Sequence, residues 1–347
     1  MRDLEMQSPE PTTVAGAAIP GTRLRSATSP VEIAAVAPAP AVPAEVVRAR
    51  IVPLGARFAN PVVVVDPRPE WLPLVRSLRG HGAPLALLSA RRLEPAMYAR
   101  GVRRHRMPAL AGRPERWEAL LLELVARLEP RPLLLGCSAP ALDFLRRTRP
   151  RLGPHYTYGN LPPLGAARDA DDLVDPDLAL RRAVQRGEPA LEVQMTRDAS
   201  GRRTGLCVLA WAPGAVPDVV VTSVAGVEVA SRSEAWLQAR EIAGYARLVW
   251  APDRFGRLAL LAYSPLPGPG LELALADGVD FPALAYAAAV DQAVPAQQAR
   301  LELVRRLPVQ EPGRAGDASP LIEFRARPTW QDPLPWMASL LRSLVRT

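Results

Sequence analysis

The chain is predicted to build two sheets in succession: a doubly wound parallel α/β unit, then an α+β unit on antiparallel strands. Three observations carry this. Between residues 59 and 156, short apolar runs alternate with segments of helical period, as parallel strands covered by helices require. After residue 190, strand-like runs follow one another across short turns, the pattern of an antiparallel sheet. The 347 residues are 48% hydrophobic, enough for a sizeable core.

Each element has its own reason. Residues 61–66 (PVVVVD) are a continuous β-branched run, fit for a strand buried on both faces. Residues 70–81 place Trp71, Leu74, Val75 and Leu78 at helical spacing. Residues 84–89 (PLALLS) and 132–136 (PLLLG) give further strands. A helix over 114–128 opens with proline and repeats Trp117, Leu120, Leu121, Leu124, Val125 and Leu128; another spans 139–148. No Gly-x-Gly-x-x-Gly follows the first strand, which runs into Asp66-Pro67-Arg68-Pro69, so a dinucleotide fingerprint is missing.

In the second half, strands are predicted at 190–196, 204–212, 218–223 and 227–230, with a turn at 198–201. Ser233 is read as the cap of a helix running to about Gly244. A hairpin over 246–265 turns at Asp253-Arg254-Phe255-Gly256, and short helices follow at 270–276 and 280–290. Residues 1–58 are rich in Ala and Pro and are predicted to be a disordered tail, with a short strand at 47–54. The domains are therefore 1–58 (tail), 59–156 (α/β), 157–189 (polar linker with a helix over 175–186) and 190–347 (α+β).

Composition excludes several chemistries. The balance of 43 basic against 35 acidic residues gives +8, and no lysine occurs, so every basic residue is arginine. A lysine Schiff base, a lysine general base and a phosphate-gripping lysine are all impossible. Cys137 and Cys207 sit in apolar runs without metal spacing or a disulfide framework, as buried thiols in a reducing compartment would. No signal peptide or membrane span is expected, and a cytoplasmic location follows.

Two arginine runs stand out. Arg100, Arg103, Arg104 and Arg106 surround His105; Arg146, Arg147, Arg149 and Arg151 lie near His155. Either they hold an anionic ligand or they form solvated helix faces in an arginine-biased chain. Interleaved aromatics are confined to Tyr98, Tyr156 and Tyr158, so nucleic-acid binding is not expected. The aspartates at 169, 171, 172, 175 and 177 lack the glycine turn and terminal glutamate of a calcium loop and read as linker and helix-cap residues. His81 and His155 have no sequence partner for nucleophilic catalysis.

The order of several motifs resembles the ATP-grasp enzymes, especially the carbamoyl-phosphate-synthase-like carboxylate–amine ligases. Residues 74–82 (LVRSLRGHG) match that family's first helix, and 97–106 (MYARGVRRHR) its next strand region. Residues 133–152 match a strand, turn and helix, with Ala139-Pro140 where the family has an acidic pair. Asp277-Gly278-Val279-Asp280-Phe281-Pro282 and the closing Asp332-Pro333-Leu334-Pro335-Trp336 continue the likeness, which covers roughly 60–340 without the central part.

The departures concern Mg-ATP. The family's second hairpin strand ends in Glu-hydrophobic-Asn-Pro-Arg; here the matching residues are Ala262, Tyr263, Ser264, Pro265 and Leu266. The resemblance therefore places a metal carboxylate at Ala262, an amide ligand at Ser264 and a phosphate arginine at Leu266, and the first metal carboxylate near Val249–Trp250, where none stands. The linker is too short for the family's small lobe and carries neither lysine nor a glycine cluster. Trp250, Asp253, Tyr263, Pro265 and Gly268 are the candidates for lining a residual pocket; the Pro-Leu-Pro-Gly-Pro-Gly loop over 265–270 either lines it or is a rigid connector.

These residues imply a degenerate, non-catalytic ATP-grasp-like protein with no metal or cofactor, binding a pathway enzyme or a small acidic ligand. One alternative is an active carboxylate–amine ligase that uses Mg-ATP through atypical ligands. Another is an arginine-rich polyanion binder, which requires a contiguous arginine face.

Overall fold

The computed structural model describes residues 58–159, 175–213, 218–301 and 303–308, together with Leu334, Pro335, Met337 and Ala338. Outside these lie the strand expected at 47–54, the aspartates at 169, 171 and 172, and most of the closing Asp-Pro-Leu-Pro-Trp motif. Phe58, the last residue of the predicted tail, is buried and stacks on Tyr286 at 3.9 Å between ring centroids.

The first sheet is parallel, in the order β3-β2-β1-β4-β5: β1 (Val62–Val65), β2 (Leu85–Ser89), β3 (Val102–Arg106), β4 (Leu133–Gly136) and β5 (Thr157–Tyr158). The four valines of β1 are wholly buried because both faces are covered. Val62 and Val64 face α1 (Leu72–Gly80); Val63 and Val65 face α2 (Pro114–Val125) and α3 (Ala139–Leu152). The last helix runs beyond the predicted residue 148 and carries Pro150 inside its final turn.

The second sheet has seven strands. Six form the path β10-β9-β6-β7-β8-β12: β6 (Ala190–Arg197), β7 (Arg203–Pro213), β8 (Asp218–Ser223), β9 (Gly244–Pro252), β10 (Leu258–Ser264) and β12 (Val304–Pro308). The pairs along that path are antiparallel, and β11 (Gln297–Gln298) adds a short parallel pairing to β7. One face packs on α5 (Val227–Gln238). The other packs on α4 (Pro176–Gln185), α6 (Gly270–Ala276) and α7 (Phe281–Ala289).

The strand predicted at 227–230 is instead the first turn of α5. Gly226, with φ 45°, turns the chain, and Val229, Ala230 and Leu237 then fall on one helical face while Val227 is exposed. Ser233 is not a cap; it sits mid-helix and accepts a hydrogen bond from Trp250 Nε1 at 2.9 Å.

The helices α6 and α7 touch α1, so one apolar core runs from the first sheet to the second. A polar clamp sits inside that junction. Asp280, the N-cap of α7, accepts from Ser77 Oγ at 2.5 Å and from the Ala283 amide at 3.1 Å, and lies 3.0 Å from His81 Nε2. The Asn60 amide donates to Tyr286 Oη at 2.8 Å nearby.

Candidate functional site

Strand register puts the positions singled out for Mg-ATP on one face of the second sheet. Ala262 pairs with Val249, which pairs with Glu192; Ser264 pairs with Arg247, which pairs with Gln194. Side chains alternate along a strand, so these two rows share a face. That face is covered: α4 packs across β9 and β10, and Ala262 is fully buried in the shared core.

At its centre stands Arg247, fully enclosed. Its Nε donates to Glu192 Oε1 at 2.7 Å and an Nη donates to Asp177 Oδ1 at 2.7 Å. Asp175 caps α4 by accepting from the amides of Asp177 and Leu178, and this cap aims Asp177 at the guanidinium. Gln194 donates to Glu192 Oε1 at 3.1 Å, and Tyr245 Oη donates to Gln194 Oε1 at 3.1 Å. Burial pushes the Glu192 carboxyl above its ordinary range, with Arg247 opposing. The two carboxylates raise the affinity of Arg247 for its proton, overcoming burial.

The 265–270 loop closes over this cluster. A Cβ at Gly268 would overlap the Arg247 guanidinium, and one at Gly270 would overlap the Glu192 carboxylate and the Gln194 amide. Both positions are glycine because the backbone lies directly on the charges. Since Arg247 is held by both carboxylates, Gly268→Ala is expected to cost about 1–3 kcal/mol in urea unfolding, an overlap cost without backbone strain.

The pocket candidates do not converge. Pro265 lines a small apolar cavity of about 30 Å³, with Trp71, Leu133, Leu135, Tyr245 and Pro267, and Gly268 abuts Arg247. Trp250 and Tyr263 lie on the opposite face, against Ser233 and Trp236 of α5. Asp253 lies in the hairpin turn, accepting from the amides of Phe255 and Arg257; the Arg257 backbone bond is the first cause of its lowered pKa. Ser264 Oγ accepts from the Leu266 amide at 3.0 Å, and Leu266 packs against both the shared core and the α2–α3 cluster of the first sheet.

A separate feature lies at the carboxyl ends of the parallel strands. The order reverses between β1 and β4, the crevice where open α/β sheets take ligands. Asp66 ends β1 with φ 54°, an uncommon conformation for a residue other than glycine, and accepts from Ser138 Oγ at 2.6 Å. Ser138 in turn caps α3. Glu70, whose pKa burial raises, lies within electrostatic reach of both Arg68 and Asp177.

The Arg247 cluster was missed in the sequence, although β6 carries its signal. Glu192, Gln194 and Thr196 alternate with Val193 and Met195, and the polar side reads as solvated; in the structure it is buried on a central strand. Of the arginine runs, Arg146, Arg147, Arg149 and Arg151 do lie on a helix, α3. Arg103, Arg104 and Arg106 lie on an edge strand instead, with Arg100 just before it, and this corrects the helix-face expectation. Among the described residues, no group of three His, Cys, Asp or Glu side chains is placed to hold a metal ion, and no helix is long and apolar enough to cross a membrane.

The parallel pre-domain and the antiparallel sheet with its terminal hairpin together define an ATP-grasp-like fold. Among solved structures, the chain is similar to glycinamide-RNase-transformylase T from Mycobacterium tuberculosis, at 12% identity and TM-score 0.52, covering 74% of this chain and 86% of that one. It is similar to N5-carboxyaminoimidazole synthetase from Staphylococcus aureus, at 11% identity and TM-score 0.51, covering 73% and 83%. The same synthetase complexed with ADP matches at TM-score 0.50. No family model and no curated protein matches the sequence. At these identities the likeness is one of fold.

Proposed function

We propose that this chain is a non-catalytic ATP-grasp-like protein, acting as a scaffold or binding partner in a biosynthetic pathway, with an enzyme of that pathway as its natural partner. The observation that carries this reading is Arg247, held by Glu192 and Asp177 on the face where the family resemblance places the metal grip. Mg²⁺ demands hard oxygen ligands. Ala262 and Leu266 offer none in their side chains, the Ser264 hydroxyl serves the local turn, and both nearby carboxylates already hold a cation. The residues present do not fit Mg-ATP.

The expected result of calorimetric titration with ATP and a non-hydrolysable analogue is no heat, with or without Mg²⁺, and no thermal stabilisation by nucleotide. Magnesium-dependent binding at micromolar strength overturns the reading. A specific observation keeps one alternative in view: Asp177 and Glu192 are two carboxylates on the relevant face, as a ligase with atypical ligands would need. Turnover abolished by Glu192→Gln would establish that ligase.

A further inference from the structure

The strand β3 is an edge of the first sheet. The Met107 amide donates to the Ser89 carbonyl of β2, so by alternation along the strand Val102, Arg104 and Arg106 turn their backbone N–H and C=O groups outward. No described residue hydrogen-bonds to those outward groups.

Side chains on β3 divide between the two faces. Arg104 lies over the Tyr98 ring at 5.6 Å, on the side of α1, and Arg106 follows on that side. Arg103 and His105 point toward α2, where Glu123 and Arg127 come within electrostatic reach of His105. Several other surface arginines are paired, as Arg127 with Glu123, Arg147 with Asp143 and Arg151 with Glu118. Arg103, Arg104 and Arg106 have no ion pair among the described residues.

Charge on an edge strand guards against pairing with another neutral or basic edge, including a second copy of this one, where arginine would meet arginine. The same charge favours an acidic strand. A nucleic acid needs one contiguous basic face, whereas an added strand has side chains on both faces and meets arginines on each.

We propose that the outer edge of β3 takes an extended acidic strand from a partner protein, paired through the backbone of Val102, Arg104 and Arg106 and flanked by the three guanidinium groups. This deepens the binding-partner reading by naming its surface, and it fails separately: nucleotide titration tests that reading without involving β3.

The test is fluorescence anisotropy of the full-length protein with a labelled peptide alternating glutamate and valine. Saturable binding is expected, weakened by salt. Arg104→Gln removes a charge; Arg104→Pro removes the charge and an outward amide without touching the bonds to β2. Arg104→Pro is expected to bind roughly three- to tenfold more weakly than Arg104→Gln, the worth of one hydrogen bond. Arg104→Glu, which leaves the backbone intact, is expected to lose the acidic peptide and gain one alternating lysine and valine. No binding of the acidic peptide, equal binding of a proline-interrupted peptide of the same charge, or tighter binding of oligothymidine would each overturn the proposal.

Discussion

Arg247→Ala is expected to lower the unfolding free energy by about 3–5 kcal/mol, because removing one partner of a buried ion pair leaves the other charge uncompensated. Glu192 is the charge left behind: it is wholly buried, whereas Asp177 is about a third exposed and recovers water. The effect has a pH signature. Burial already raises the Glu192 pKa, and losing Arg247 removes the main opposing influence, so the variant raises it further. The native variant then holds a proton that the unfolded chain releases at an ordinary glutamate pKa of 4.5. Its stability therefore rises as pH falls through the folded pKa and levels off below 4.5. Urea unfolding of both proteins across that range is the measurement. A deficit independent of pH would show that Glu192 is not the source. Replacing Glu192 and Arg247 together by leucine and methionine is expected to restore most of the loss.

The second large effect lies at the junction. Asp280→Ala is expected to cost about 2–4 kcal/mol, the sum of a lost helix cap and of buried Ser77 and His81 donors left without an acceptor. Asp280→Asn keeps the shape and the capping oxygen and is expected to cost about half as much. Chemical denaturation read by tryptophan fluorescence checks both, since Trp71 packs in the same core. Equal losses for the two variants would assign the effect to charge rather than to capping.

Much of the fold was legible because its strands are bounded by prolines and glycines and its helices keep one apolar face. The hairpin, the helix at 270–276 and the strands at 190–196, 204–212 and 218–223 emerge from period alone. Strand β3 was less legible: three arginines and a histidine in five residues have no apolar alternation, and an edge needs none. Strands β5 and β11 are two residues long, too short for any period. The site was harder still. Ala262 and Ser264 are singled out by resemblance, but the ion-pair cluster on their face comes from strands and a helix far apart in sequence, at 177, 192 and 247. No local pattern marks a pairing set by strand order.

The junction also governs how the chain comes into being. The amide of Asn60 bonds to Tyr286, 226 residues later, and Ser77 to Asp280, 203 residues later. During synthesis at roughly 5–20 residues per second, the apolar side of α1 therefore waits about 10–45 s for α7 to emerge. Until then Leu74, Leu78 and Trp71 have no cover from α6 and α7, and a nascent chain halted before residue 280 is a substrate for chaperones rather than a finished half.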